Sequence, residues 1–136
     1  MQRLKTRAQF QFVLAGTVIA KTPHFALHCN RLNAKAVTGR AGQLAEPANL
    51  FHLQDMWIGA MVPKRWAKRA VTRNAIKRQI YTVGADFSAL YPHAAFVVRL
   101  RSSFSLAQFA SAVSDQLKLA VRTEIQVLMQ AGAKAA

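Results

Sequence analysis

Acidic side chains are scarce in this sequence of 136 residues: five Asp or Glu stand against 19 Lys or Arg, which gives a formal net charge of +14. No acid occurs in residues 1–45 or 56–85. We therefore expect no catalytic residue on this chain, because general acid–base chemistry and two-metal chemistry both depend on closely placed acids. A compact chain with this charge repels itself, and a polyanion is the natural partner to relieve the repulsion.

Cysteine and long apolar runs are equally sparse. Cys29 is alone, which excludes an internal disulfide framework and favours a cytoplasmic protein. The histidines lack the spacing of a zinc site, so we expect no metal or cofactor on the protein itself. They are His24, His28, His52 and His93. No apolar run approaches the roughly 18 residues of a membrane-spanning helix, and we interpret the basic N-terminus as a helix of the fold.

The chain is long enough, and with 52% apolar residues hydrophobic enough, to form one domain over residues 1–136. Thr6 and Gln9 have the spacing of a capping box and predict a short helix that ends near Gly16. Alternation predicts a strand in HFALHCNRL, with Phe25, Leu27 and Cys29 on one face and Ala26, His28 and Asn30 on the other. Strand-like residues follow at 50–62, with a possible break near Gln54, and at 95–101.

A long amphipathic helix is predicted from Ser105 onwards, with an apolar stripe at Leu106, Phe109, Val113, Leu117, Val121, Ile125 and Leu128. Residues 33–49, rich in Ala, Gly and Asn, indicate a mobile loop, and residues 131–136 a frayed tail. The resulting order α-β-β-β-α-β-α predicts an α+β fold, a single-domain two-layer sandwich of helices on a small sheet.

The most basic stretch is KRWAKRAVTRNAIKR, residues 64–78, which has seven Lys or Arg and no acid. Ile76, Ile80 and Val83 form a stripe that can anchor a helix on the sheet. The residues turned outward are Arg73, Asn74, Lys77 and Arg78, and the residues that approach the helix are Lys64, Arg65, Lys68 and Arg69. A solvated face is one interpretation, but such a face normally mixes both signs of charge, so an anionic ligand such as a phosphate backbone is favoured.

Three segments, in order, resemble the bacterial ribonuclease P protein component. The central one is WIGAMVPKRWAKRAVTRNAIKRQI followed by AAFVVRLR, which resembles the signature helix of that family and the strands around it. The opening RLKTRAQFQFVLAG and the strand HFALHC resemble the start of the family's sequence. The resemblance spans residues 3 to 130, and three ordered segments together are far more specific than one basic motif.

The resemblance implies a protein subunit of ribonuclease P, which binds a catalytic RNA and the 5′ leader of precursor tRNA to promote 5′ maturation of tRNA. In that family the chemistry belongs to the RNA and its Mg²⁺, with no membrane and no obligate protein partner. The resemblance also implies a left-handed β-α-β crossover, an exception to the usual hand. Contacts to the catalytic RNA would fall on the basic stretch, and a leader-binding cleft on Phe10, Leu14 and His28.

Some positions depart from the family pattern. Ala75 follows Asn74 where the family usually has Arg, and Tyr81 stands at a usually basic position. From the residues alone, His28 can face solvent or stack on a base, and Phe10 can lie in the core or line the cleft. At the level of function, a ribosomal or general structured-RNA-binding protein without an enzymatic partner is the alternative, and a basic membrane-surface protein is a third class.

Overall fold

The computed structural model describes residues 1–32, 50–104 and 114–135. The loop predicted at 33–49 and the start of the helix predicted from Ser105 lie outside these ranges. The strands are β1 (Gln2–Arg3), β2 (Thr17–Lys21), β3 (Phe25–Arg31), β4 (Trp57–Met61) and β5 (Ala94–Leu100). The helices are α1 (Arg7–Leu14), α2 (Ala70–Phe87) and α3 (Asp115–Ala135), with a short 3-10 turn at Ser88–Leu90.

The strands form one sheet in the order β1-β4-β5-β3-β2. β4 pairs in parallel with both β1 and β5, whereas β3 pairs antiparallel with both β5 and β2. Parallel neighbours need a crossover connection, and α2 provides it between β4 and β5. This arrangement confirms the predicted α+β fold with its β-α-β unit; the left hand of the crossover stays a prediction.

Helices cover the sheet on both faces. On one face, Ile58 and Phe96 of the sheet lie in a buried cluster with Ile76 and Ile80 of α2 and Ile125 of α3. This cluster confirms the isoleucine anchor predicted for the basic helix. Two packed layers account for this side of the molecule.

The opposite face of the sheet carries α1, and we call it the α1 face. Val13 of α1 forms a second buried cluster there with Trp57 of β4 and Val97 of β5. The two-layer description therefore fits α2 and α3, while α1 adds a partial third layer. The alternating pattern predicted a half-buried strand, but the first half of β3 is buried on both sides. The reason is that helices cover both faces of the sheet.

The N-terminal helix forms as predicted. The Thr6 hydroxyl accepts a hydrogen bond from the Gln9 amide at 3.1 Å, and the Gln9 side chain accepts one from the Thr6 amide at 3.0 Å. Ahead of it, β1 was not predicted, because two residues carry no periodicity. Its pairing with β4 adds a fifth strand to the sheet.

The strands between α1 and α2 are three in number, as predicted, but one of them is a different segment. Residues 17–21 form β2, and a bulge between Val18 and Ala20 removes the alternation that would reveal it. Residues 50–55 are not a strand. Phe51 packs edge-on against Trp57 at 5.3 Å, and the carbonyl of Leu50 accepts a hydrogen bond from the Gln9 side chain, so this segment packs against α1.

Helix α3 confirms the apolar stripe over its described part. The buried stripe residues are Leu117, Val121, Ile125 and Leu128. The residues predicted as a frayed tail are helical as far as Ala135. Gly132 is buried where a β-carbon would collide with Leu27 and the Tyr91 hydroxyl, and that hydroxyl donates a hydrogen bond to the carbonyl of Met129. These contacts fasten the end of the helix to the sheet.

Candidate nucleic-acid interface

The outer side of α2 carries a shallow basic groove, which we call the α2 groove. Its lining residues are Arg3, Asn74, Lys77, Arg78, Tyr81 and Thr82. Three of the predicted contact residues, Asn74, Lys77 and Arg78, are thus brought together by the helix. The buried side of the helix is held by Ile76 and Ile80, so the groove faces away from the core. The groove contains three cations and no acid, which suits a phosphate backbone.

Arg3 is a residue of this groove that sequence reasoning missed. Its guanidinium lies 4.1 Å from the centroid of the Tyr81 ring, a cation–π contact. The resemblance led us to expect a basic residue where Tyr81 stands, and Arg3 of β1 brings a positive charge to this tyrosine. In the sequence, the Arg-Leu-Lys opening is the signal that could have drawn attention to Arg3. Its position beside α2 depends on the pairing of β1 with β4, which the sequence does not reveal.

Arg73 differs from its neighbours on the basic helix. Its Nη1 donates hydrogen bonds to the carbonyls of Ala67 at 3.0 Å and Lys68 at 2.8 Å. The side chain therefore folds back on residues 64–69, which lead into α2 and which we call the approach segment. Because these bonds occupy one end of its guanidinium, Arg73 supports the approach segment, and direct contact with RNA stays a prediction for it.

The approach segment presents its cations to solvent. Lys64, Arg65, Lys68 and Arg69 are all exposed. Arg69 is the N-cap of α2 and forms no capping hydrogen bond through its side chain. Cations at a helix N-terminus are disfavoured by the helix dipole, so Lys68 and Arg69, next to the first turn, are consistent with an external anion. Trp66 packs against the buried cluster that contains Ile58 and Ile76.

The predicted cleft lies on the α1 face, where two rows of side chains cross the sheet. The register places Gly59, Val97, His28 and Val18 in one row. The next row consists of Met61, Arg99, Ala26 and Lys21. Phe10 and Leu14 extend from α1 onto this surface and are both half-buried. The structure thus brings the three predicted cleft residues to one face.

Phe10 rests directly on the sheet. A β-carbon at position 59 would lie 2.6 Å from Cε1 of Phe10, so only glycine leaves room for the ring. The half-buried ring packs against the second buried cluster, so Phe10 is in part a core residue, and its role in lining a leader cleft stays a prediction. The end of α1 is held as well, since the Asn30 side chain donates a hydrogen bond to the carbonyl of Phe12 at 2.9 Å.

His28 does not face solvent: it is 8% exposed. α1 and the neighbouring strands cover a face that alternation alone suggested to be open. The Nε2 atom of His28 accepts a hydrogen bond from Nε of Arg99 at 3.1 Å. Burial, followed by the charges of Arg99 and Lys21, lowers the pKa of His28 below its usual range, so the ring is neutral at pH 7. Stacking of a base on this ring stays a prediction.

The sequence matches one protein-family model over most of its length. The model, described as Ribonuclease P, covers residues 1–124. The chain belongs to the ribonuclease P protein family. The matched range includes α1, the sheet, α2 and the start of α3. It therefore contains the α2 groove and the α1 face.

Two curated proteins described as ribonuclease P protein component are similar to the chain. The one from Idiomarina loihiensis is 47% identical over 57 residues, which cover 42% of this chain and 43% of that protein. The one from Nostoc punctiforme is 32% identical over 80 residues, which cover 57% of each. The chain spans about half the length of the curated relatives it matches.

Solved structures of ribonuclease P proteins share the fold. The Staphylococcus aureus RNase P protein aligns with a TM-score of 0.63 at 18% identity, covering 96% of this chain and 94% of that one. The Thermotoga maritima RNase P protein aligns with a TM-score of 0.58 at 17% identity, covering 96% and 97%. At these identities the likeness establishes the architecture of the ribonuclease P protein fold.

Other polar groups of this ribonuclease P family member hold the fold together. The Glu124 carboxylate on α3 accepts hydrogen bonds from the Thr22 hydroxyl at 2.6 Å and the His24 amide at 2.7 Å, and pairs with Nδ1 of His24 at 2.7 Å. It thereby fastens the β2–β3 turn to α3. Burial raises the pKa of the Cys29 thiol to about 11, so this thiol is protonated and unreactive at neutral pH.

Neither a metal-binding group nor a membrane-spanning helix occurs in residues 1–32, 50–104 and 114–135. No group of three or more His, Cys, Asp or Glu in those ranges is placed to hold a metal ion. None of the helices in the described part of the chain has the length and apolar character of a membrane-spanning segment.

Proposed function

We propose that this chain is the protein subunit of ribonuclease P. It binds the catalytic RNA through the α2 groove and the approach segment, and the 5′ leader of precursor tRNA through the α1 face. The complex is the endoribonuclease that matures the 5′ end of tRNA. Its partners are RNA molecules, with no obligate protein partner and no membrane, and its place of action is the cytoplasm.

The observation that carries the proposal is the α2 groove. Lys77 and Arg78 lie beside Arg3 on a surface that has no acid to neutralise them. Guanidinium groups offer paired donors to two phosphate oxygens, and a lysine adds a point charge. Asn74, at the same surface, adds a group that can hydrogen-bond a ribose hydroxyl or a base edge.

The α1 face suits a single strand. Phe10 is a half-buried ring whose free surface can stack on a base, and the neighbouring row adds Arg99 and Lys21 as cations. Aromatic rings with flanking cations are the usual means of holding single-stranded RNA. Mature tRNA lacks the 5′ leader, so this face would distinguish precursor from mature tRNA.

The chemistry would fall to the RNA subunit, with Mg²⁺ as its metal. The described residues of this chain offer no cluster that fits a metal ion. What the protein's residues would do is bind and orient two RNA molecules. Purified protein alone, freed of RNA, should therefore not cleave precursor tRNA.

Reconstitution tests the proposal. The protein is combined with a bacterial ribonuclease P RNA, and cleavage of precursor tRNA is measured at low Mg²⁺ beside the RNA alone. Faster cleavage at the correct 5′ site is expected with the protein. Tight binding of the RNA without any gain in cleavage would instead favour a general structured-RNA-binding protein.

A further inference from the structure

Arg99 is an unusual residue for its place in the sheet. It lies near the end of β5, on the α1 face, between Met61 of β4 and Ala26 of β3. The residue two positions earlier, Val97, belongs to the buried cluster beneath α1, so Arg99 lies on the same face, one row beyond Gly59, on which Phe10 rests. A cation therefore occupies a half-buried position in the middle of the predicted cleft.

Among residues 1–32, 50–104 and 114–135, no acid forms an ion pair with this cation. Lys21, in the same row across Ala26, adds a second positive charge. Arg99 bonds the His28 ring, and the charges of Arg99 and Lys21 both lower the pKa of His28. Arg99 is half-buried while Lys21 is exposed. A partly desolvated charge without a counterion is costly, so an anion supplied from outside would stabilise Arg99.

His28 determines how Arg99 is presented. Its Nε2 accepts the bond from Nε of Arg99 at 3.1 Å, so in the neutral ring the proton is on Nδ1. The bond uses only the Nε–H group of the guanidinium, one of its five N–H groups. Its two terminal nitrogens take no part in the bond to His28. Their fork matches two oxygens of one phosphate. His28 would therefore act as a positioning residue.

We propose that Arg99, positioned by His28, binds one phosphodiester of the 5′ leader. The inference rests on the proposed function and adds to it a specific contact. A phosphate is favoured over a base edge because it carries a full negative charge and can serve as the counterion of Arg99 and Lys21. A base edge carries only partial charges. The contact would fix the path of the leader at the place where Phe10 can stack.

The first test compares the Arg99→Leu variant with Arg122→Leu. Arg122 is an exposed arginine of α3 that bonds Gln79, so it matches the change in charge away from the α1 face. Each protein is assembled with the catalytic RNA, and dissociation constants are measured for precursor tRNA and for mature tRNA. Arg99→Leu should weaken precursor tRNA about ten- to hundredfold and leave mature tRNA unchanged, since hydrogen bonds to charged groups have that worth.

The second test needs no protein variant. Single phosphodiesters of the leader are replaced in turn by uncharged methylphosphonates, and the bases are exchanged in a separate series. In the unaltered protein, affinity should fall at one or two adjacent linkages, and in Arg99→Leu the same replacements should add no further loss. A loss of base preference in Arg99→Leu, without any effect of the methylphosphonates, would overturn the phosphate contact.

The role of His28 has its own variants. His28→Gln keeps an acceptor for Nε of Arg99, whereas His28→Leu removes it, so the glutamine variant should retain most of the preference for precursor tRNA. Equal preferences in the two variants would overturn the positioning role. If the unaltered protein prefers precursor tRNA but Arg99→Leu does too, only the present inference fails. If the unaltered protein shows no such preference, the leader-binding part of the proposed function fails with it.

Discussion

Arg3 and Tyr81 join the first strand to the basic helix: the guanidinium of Arg3 lies 4.1 Å from the centroid of the Tyr81 ring. The hydroxyl of the same tyrosine accepts a hydrogen bond from the amide of Ala60 at 3.2 Å, beyond the point where β1 stops pairing with β4. One side chain thus completes the hydrogen bonding of β4 and supports a cation of the α2 groove.

Arg3→Ala should weaken binding to the catalytic RNA with little loss of stability, because a cation–π contact at an exposed site is worth only about 0.5–1 kcal/mol. A lost phosphate contact should reduce the slope of log K against log salt by about 0.7 to 0.9. Binding isotherms over a series of salt concentrations measure this slope.

Tyr81→Phe is the matched control for that prediction. It keeps the ring under Arg3 but removes the bond to Ala60, so RNA affinity should hold while unfolding becomes easier by about 1 kcal/mol. An unchanged salt slope in Arg3→Ala would mean that Arg3 is merely solvated.

Lys77 and Arg78 should behave differently from Arg73. Each of the first two, changed to Ala, should reduce the salt slope of RNA binding by about 0.7 to 0.9 and leave the melting temperature unchanged. Arg73→Ala loses its bonds to the carbonyls of Ala67 and Lys68, so its melting temperature should fall. Equal behaviour of the three variants in both measurements would contradict this division.

Phe10→Ala should lower the affinity for precursor tRNA relative to mature tRNA. Stacking on a base is worth about 1–3 kcal/mol, so the ratio of the two affinities should fall between about fivefold and a hundredfold. The lower end is expected here, since Leu14 offers no second ring. Melting is recorded in parallel, because the half-buried ring also packs on the sheet. Equal losses for both ligands with a lower melting point would leave Phe10 a core residue alone.

Gly59→Ala is a second way to disturb the same ring. A β-carbon at this position would lie 2.6 Å from Cε1 of Phe10, so the ring must shift although it is still present. We expect a reduced preference for precursor tRNA and a lower melting temperature. A variant with both properties unchanged would show that the ring has room to move.

His28 should make the protein less stable in acid. Its pKa is lowered in the folded state, mainly by burial, so the unfolded chain takes up a proton first as the pH falls. Its contribution is fully present above a pH of about 6.5 and is lost below it. The free energy of unfolding should fall more steeply between about pH 7.5 and pH 5 in the unaltered protein than in His28→Gln. Parallel profiles would contradict the lowered pKa.

Much of the fold is predictable because its signals are local. The capping box of Thr6 and Gln9 fixes the start of α1, and the stripe of Ile76 and Ile80 identifies the buried side of α2. β2 escapes prediction because its bulge at Val18 breaks the period of two. Residues 50–55 suggest a strand by composition, yet they pack against α1.

The site is predictable only in part, for a different reason. The basic residues of α2 are visible because helical spacing alone gathers them on one side. The roles of Arg3 and Arg99 cannot be predicted from the sequence, because strand register determines which residues lie beside them. Arg3 reaches the groove through the pairing of β1 with β4, and Arg99 reaches His28 through the pairing of β5 with β3. Long-range pairing of this kind leaves no local pattern.

The hydrogen bonds between Glu124 and the β2–β3 turn affect how the stability of the free protein depends on salt. One of only five acids is held by the Thr22 hydroxyl and His24, so it cannot pair with the many surface cations, and the isolated protein folds against its own repulsion. Added salt screens that repulsion. The free protein should therefore melt at a higher temperature in concentrated salt, while the same salt dissociates its complex with RNA.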